Sequence, residues 1–294
     1  MIEIRDLVKV YPGGVAALQG ISLDIPRGMF GLLGPNGSGK TTLMRILAGL
    51  LAPTAGRVLK DGVDITATPE AVWPRLGYLP QDFGFYPQLT GRAMLQHLLV
   101  LKGVEAPGGL ASLCDALLAR VNLSSAADRK VKTYSGGMRQ RLGIAQAIAG
   151  DPDLVIVDEP TAGLDPEERI RFYRLLAELA EQRTVILSTH IVDDVAMLCR
   201  TFAVVRFGKL LAQTTPAEAR AGIAGCIFEG IVESSALDAL ARDVRVTQAH
   251  LVEGRNLVRV FAADRRPPDG FHPVEPTLED AYMALAGPAT GSPS

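Results

Sequence analysis

Three short segments of this chain carry residue types that handle phosphate, metal and water. The first is GPNGSGKTT over residues 34–42. Gly34, Gly39, Lys40 and Thr41 satisfy G-x-x-x-x-G-K-[ST], and Pro35, Asn36, Gly37, Ser38 and Thr42 complete the loop. Glycines let successive backbone N–H groups turn inward toward phosphate oxygens, and a helix N-terminus behind them adds partial positive charge. Lys40 would then reach the β- and γ-phosphates of a nucleotide, and the Thr41 hydroxyl would coordinate Mg²⁺. The second segment is YSGGMRQR over residues 134–141, another glycine-rich loop far down the chain. The third is LVIVDEP over residues 154–160. Its four aliphatic residues place Asp158 at the carboxyl end of a buried strand, the edge where open α/β sheets bind ligands. There Asp158 could hold the magnesium ion opposite Thr41, directly or through water. Glu159 could orient or deprotonate a water attacking the γ-phosphate.

The flanking patterns supply the elements such residues need. An apolar run at 29–33 reads as a buried strand entering the first loop, and helical spacing from Thr42 reads as a helix leaving it. Residues 2–10 alternate like an exposed-edge strand, with 15–25 as its companion across Pro12, Gly13 and Gly14. Residues 57–60 and 76–79 continue the strand pattern. From Thr90, a candidate N-cap, helices are expected at 92–102, 110–121 and 138–149. Residues 154–157 and 184–188 read as buried parallel strands. Between them Asp165, Pro166, Glu167 and Glu168 form a strong helix start. Strands alternating with helices around a phosphate loop define an α/β fold. Residues 213–286 read as a small α+β extension, with strands near 225–232, 244–251 and 256–261 and a final helix opening at Pro276. The Gly-, Pro- and Ser-rich 287–294 reads as a disordered tail.

Composition narrows the function classes. The 294 residues are 48% hydrophobic, enough for one large domain or two with a real core. Lys and Arg total 30 against 32 Asp and Glu, which argues against a general nucleic-acid binder. Arg129, Lys130, Lys132, Arg139 and Arg141 do cluster, as a solvated face or as a group near a nucleotide. Cys114, Cys199 and Cys226 form no metal-type pair and are expected as reduced thiols. No run reaches membrane-spanning length and the N-terminus lacks a signal peptide's apolar core, so a soluble chain is expected, with any membrane role through a partner.

In order along the chain stand Tyr11, GPNGSGKTT, Gln81, YSGGMRQR, LVIVDEP, Ala162-Gly163-Leu164-Asp165 and His190. This series resembles the ATP-binding cassette ATPases, the motor subunits of ABC transporters, over residues 1–212. The resemblance implies a P-loop NTPase cassette fold with a mixed sheet core, an antiparallel β subdomain and a helical subdomain over about 88–150. It implies that Tyr11 stacks on adenine, Gln81 contacts Mg²⁺ or the attacking water, and His190 touches the γ-phosphate. Asp165 would both cap its helix and meet a second subunit. Ser135, Gly136 and Gly137 would bind the γ-phosphate held by that other subunit, so that ATP joins two cassettes, most simply a homodimer. The commonest family pattern at the second loop is LSGGQ; here Tyr134 replaces the Leu and Met138 the Gln, which removes support for a Gln contact to nucleotide.

Residues 87–90 and the ending at 276–282 look like cassettes paired with ABC-2-type exporters. The expected function is therefore an ATP-hydrolysing subunit that drives export through a separate permease at the cytoplasmic face of the membrane. Phe83, Phe85 and Tyr86 would be either core aromatics or part of the permease-docking patch. The competing expectation is a soluble cassette ATPase acting on nucleic acid or ribosomes; a small-molecule kinase leaves residues 134–141 unexplained.

Overall fold

The computed structural model describes residues 1–71, 73–81, 83–161 and 164–287. The chain opens on an antiparallel pair, β1 (Ile2–Val10) and β2 (Ala16–Ile25), followed by β3 (Gly28–Leu33) and α1 (Lys40–Leu47). This helix starts two residues before the expected Thr42. Gly39 is left-handed (φ +106°) and turns the loop straight onto the helix, so Lys40 and Thr41 occupy its first turn. After β4 (Ala55–Lys60), β5 (Val63–Asp64) and β6 (Leu76–Leu79) come the helices α2 (Gly91–Leu101), α3 (Leu110–Arg120) and α4 (Gly136–Ile148). Then follow β7 (Leu154–Asp158), α5 (Pro166–Ala180), β8 (Thr184–Thr189), α6 (Val192–Leu198), β9 (Thr201–Arg206) and β10 (Lys209–Thr214).

Two sheets organise these elements. β2-β1-β4-β5 is antiparallel, and β10-β9-β3-β8-β7-β6 is parallel apart from β10. The larger sheet is covered on both faces, which explains its near-continuous aliphatic strands. Along β7, Leu154 and Ile156 face a core shared with Phe30, Leu43, Ile186 and the smaller sheet. Val155 and Val157 face a second core with Leu142 and Ile144 of α4 and Phe172 and Leu176 of α5. Each such side chain contributes roughly 1.5–3 kcal/mol on full burial. The α/β cassette expected from the sequence is the fold observed.

The helical part is joined to the sheet by specific contacts. Thr90 caps α2, its hydroxyl accepting from Ala93 N–H at 3.2 Å. α4 begins at Gly136 rather than Met138, because Ser135 is its N-cap and accepts from Met138 N–H at 3.1 Å. Lys102 Nζ donates to the carbonyls of Gln146, Ala147 and Ala149, closing the far end of α4. Tyr134 is buried, and its hydroxyl donates to the Ala126 carbonyl at 2.8 Å.

The remaining elements are α7 (Pro216–Ala221), β11 (Ile227–Val232), α8 (Leu237–Asp243), β12 (Arg245–Val252), β13 (Arg255–Phe261), β14 (His272–Pro273) and α9 (Leu278–Ala286). Their strands form an antiparallel sheet, β12-β13-β11-β14. Thr277 and Asp280 make a capping box at α9, whose Leu278 and Ala281 share a core with Val195 of α6 and Phe202 of β9. The tail expected at 287–294 lies, beyond Gly287, outside the described residues. Among the described residues no helix is long and apolar enough to cross a membrane, and Cys114, Cys199 and Cys226 are free thiols.

The contact between Tyr134 and α2 can be tested directly. A Cβ at Gly91 would fall 1.9 Å from the Tyr134 hydroxyl oxygen. Gly91→Ala should therefore lower unfolding free energy by about 1–3 kcal/mol in urea titrations, as overpacking does. Adding Tyr134→Leu should restore most of that loss.

Candidate functional site

Parallel register brings the three chemical segments to one edge. Leu33 pairs with Thr189 across β3 and β8, and Asp158 pairs with Ser188 across β7 and β8. The chain beyond each strand therefore emerges at the same level: the phosphate loop, Asp158 with Glu159, and His190. Above this edge lies a cleft of about 450 Å³ lined by Tyr11, Asn36, Gly37, Gly39, Lys40, Thr41, Thr42, Gln81 and Glu159, among others. Two loop glycines are sterically obligatory. A Cβ at Gly34 would stand 2.2 Å from the Val205 carbonyl oxygen and 2.8 Å from Ser38 Oγ. One at Gly39 would meet the Ala17 carbonyl oxygen at 2.5 Å.

Lys40 and Glu159 form the centre of the site. Lys40 is buried; Nζ donates to the Gly34 and Pro35 carbonyls at 2.8 and 3.1 Å and lies 3.3 Å from Glu159 Oε1. The other Glu159 oxygen, Oε2, is 3.1 Å from His190 Nδ1 and 3.5 Å from Gln81 Nε2. An ionised carboxylate only accepts, so Nδ1 is the proton-bearing ring nitrogen in that contact. Glu159 adopts φ +47°, a left-handed conformation that costs a non-glycine residue energy and concentrates at functional sites. Its N–H is tied to the Ser188 carbonyl at 2.9 Å.

Asp158 is 1% exposed, and neither carboxylate oxygen has a hydrogen-bond partner among the described residues. The Ser188 and Thr41 hydroxyls stand beside it without completing such a bond, and burial pushes its carboxyl above the usual range. The buried Ser38 and Ser188 hydroxyls likewise have no partner among the described residues. Orphaned hard oxygens of this kind suit a divalent cation such as Mg²⁺. No group of three His, Cys, Asp or Glu side chains gathers among the described residues, so such a cation would also need phosphate oxygens or water.

The other expected residues are distributed as follows. Tyr11 is half-buried at the mouth of the cleft; its hydroxyl lies 3.3 Å from Thr42 Oγ1, and Lys9 Nζ sits 5.6 Å from its ring centroid. Ser135, Gly136 and Gly137 lie at the start of α4 and do not line the cleft. Asp165 is exposed and caps α5, accepting from Glu168 N–H at 2.8 Å. Ala162 and Gly163 lie outside the described residues. Phe83 and Phe85, ring centroids 5.0 Å apart, pack on the core, whereas Tyr86 is exposed against His97. In the basic cluster, Arg129 donates to the Thr133 carbonyl, Arg139 to that of Tyr134, and Arg141 to those of Val121 and Asn122. Arg129 and Arg139 thus brace the segment just before Ser135, and Arg141 ties α4 to the end of α3. Thr161, Thr189 and Asp194, buried beside the Glu159–His190 pair, were not marked by any local motif.

Comparison with known proteins accords with this geometry. The profile of the family described as ABC transporter matches residues 18–162. The daunorubicin/doxorubicin resistance ATP-binding protein DrrA of Streptomyces peucetius is 39% identical over 227 residues, which are 76% of this chain and 67% of that protein. The Nod factor export ATP-binding protein I of Paraburkholderia xenovorans is 38% identical, over 75% of this chain and 73% of its own length. A dimeric ATP-binding cassette solved in a post-hydrolysis state with ADP and Pi bound superposes with a TM-score of 0.67 at 25% identity, covering 73% of this chain and 98% of that one. The chain belongs to the ABC transporter family as one of its ATP-binding subunits, and it is an ATPase.

Asp158 sets up a pH-dependent prediction. A carboxyl whose folded pKa is raised lowers stability as pH climbs from its unfolded value, about 3.9, through the folded one. Asp158→Asn should thus be more stable than the parent by roughly 1–3 kcal/mol at neutral pH without metal. The difference should vanish below the ordinary carboxylate range, as followed by thermal melts across pH.

Proposed function

We propose that this chain hydrolyses Mg²⁺-bound ATP to drive export through a separate membrane permease of the ABC-2 type, docked at the cytoplasmic face of the membrane. The single observation that carries the catalytic part is the convergence of Lys40, Gln81 and His190 on the Glu159 carboxylate. The exporter part is supported by the relatives, one named for drug resistance and one for Nod factor export. We take residues 1–212 as the cassette, with its helical subdomain at about 88–150, and 213–286 as an appended module.

In this reading Tyr11 stacks on the adenine, a contact worth about 1–3 kcal/mol. The 34–42 loop receives the phosphates on its N–H groups, with Gly34, Pro35, Asn36, Gly37, Ser38, Gly39 and Thr42 shaping it. Lys40 turns from Glu159 to the β- and γ-phosphates, freeing that carboxylate. Asp158 and Thr41, with Gln81, would hold the magnesium ion, whose charge would offset that of the phosphates. Glu159 accepts the proton of the attacking water, and His190 contacts the γ-phosphate while steadying the carboxylate. Ser135, Gly136 and Gly137 of a second copy, at the N-terminus of its α4, donate to the γ-phosphate from across the interface, beside Asp165. A lost donor of that kind typically costs about 2.7–4 kcal/mol in the transition state.

Glu159→Gln should bind ATP normally, hydrolyse it about 10²–10⁴ times more slowly, and accumulate as an ATP-dependent dimer in size-exclusion chromatography. Parental turnover in this variant would remove Glu159 from the role of general base. Lys40→Ala should lose ATP binding in a nucleotide titration; unchanged affinity would contradict its phosphate contact.

A further inference from the structure

Beneath the cleft, one carboxylate ties together the segments that carry its catalytic groups. Asp194, in the first turn of α6, is fully buried. A buried charge is costly unless its lone pairs are met by well-placed donors. Oδ2 accepts from the Thr161 hydroxyl at 2.7 Å and the Thr189 hydroxyl at 2.8 Å. Oδ1 accepts from the Tyr173 hydroxyl and the Arg169 guanidinium, and Arg169 also donates to Tyr173. Burial and the adjacent Asp194 carboxylate push the Tyr173 hydroxyl far up, so it stays a donor at physiological pH.

These donors come from three separate segments. Thr161 stands two residues beyond Glu159. Thr189 immediately precedes His190, and its hydroxyl also accepts from Ile191 N–H at 3.0 Å, which pins the chain on both sides of the histidine. Arg169 and Tyr173 lie one turn apart on α5, the helix capped by Asp165. The β7–β8 ladder ends at Asp158 with Ser188, followed by Glu159 N–H to the Ser188 carbonyl. Past that point no further backbone hydrogen bond joins the two loops among the described residues, and Asp194 Oδ2 bridges them through two hydroxyls.

We infer that Asp194 is the positioning residue for hydrolysis: it fixes Glu159 and His190 relative to one another and couples both to the helix that begins at Asp165. The inference rests on the roles given to Glu159 and His190 above. Asp194 lines no part of the cleft and touches no nucleotide in this scheme. Its loss should therefore act on the chemical step rather than on binding, where a misplacement of about 1 Å can cost about 10² in rate.

Thr161→Val removes one donor to Asp194 nearly isosterically and is the cleaner test; Thr189→Val removes one donor and also the acceptor of Ile191 N–H, and both leave Asp194 its other partners. The measurements are kcat at saturating MgATP, ATP affinity by titration, and thermal stability, with Thr161→Ser and Thr189→Ser as conservative controls. Each valine variant should lose about 10- to 100-fold in kcat with ATP affinity within about two-fold of the parent. The serine variants should remain near parental. The double valine variant should fall short of the product of the single effects, because both hydroxyls share one oxygen. Parental kcat in both valine variants would overturn the inference. So would serine variants as impaired as the valine ones, or kcat and ATP affinity falling together. Glu159→Gln run in parallel separates the two levels. If it is blocked while the valine variants are not, only the positioning role fails; if it turns over at the parental rate, the reading of the site itself fails.

Discussion

Leu33, Asp158 and Thr189 stand at one edge of the central sheet because β3, β8 and β7 pair in parallel register. A slip of one residue in any of these strands would turn alternate side chains to the opposite face. It would bury Glu159 in aliphatic surroundings or draw Asp158 away from the loop. The register is secured by burial on both faces, with Leu154 and Ile156 committed to one core and Val155 and Val157 to the other. The apolar packing of the sheet and the polar geometry of the site are thus two consequences of one alignment.

That alignment concentrates unfavourable electrostatics where chemistry needs them. Two adjacent carboxylates, Asp158 and Glu159, are buried with the Lys40 ammonium; Lys40 attends Glu159, while among the described residues Asp158 has no hydrogen-bond partner. Glu159 adds a left-handed backbone, and the phosphate loop adds two glycines, Gly34 and Gly39, that no other residue could replace without collision. Preorganised sites of this kind trade stability for function. The surrounding structure holds the strained loop through the Ser188 carbonyl and, below it, through the Asp194 network.

Much of this was legible in the chain. The aliphatic runs of β7 and β8 and the Asp165-Pro166 start of α5 are locally determined, and the strands and helix stand where those signals put them. The residues around the cleft were legible because glycine-rich phosphate loops need particular residue types at particular spacings. Helices α1 and α4 both begin inside their glycine loops, where residue preference points to a turn, so spacing alone places their starts two residues late. β9 follows α6 with no turn signal between them, β10 is a half-exposed edge, and α6 is short, so none of these stood out. Asp194 was invisible for a related reason. In sequence it is the second of two aspartates in a polar stretch, and only tertiary packing encloses it among hydroxyls from distant segments.

Within one copy the two glycine loops do not share a cleft: the loop at residues 34–42 lines it, and Ser135, Gly136 and Gly137 do not. On the proposed reading each loop completes a site on the other copy, so hydrolysis belongs to a pair of chains. Complementation by mixing tests this most directly. One preparation carries Lys40→Ala, which spoils the phosphate loop. The other carries Gly136→Asp, which puts a negative charge against the γ-phosphate at a helix start that tolerates it. Sites built across two copies predict that each variant alone is inactive and that mixing restores ATP hydrolysis, through pairs holding one intact phosphate loop opposite one intact Ser135–Gly136–Gly137 segment. A mixture as inactive as its separate components would contradict it.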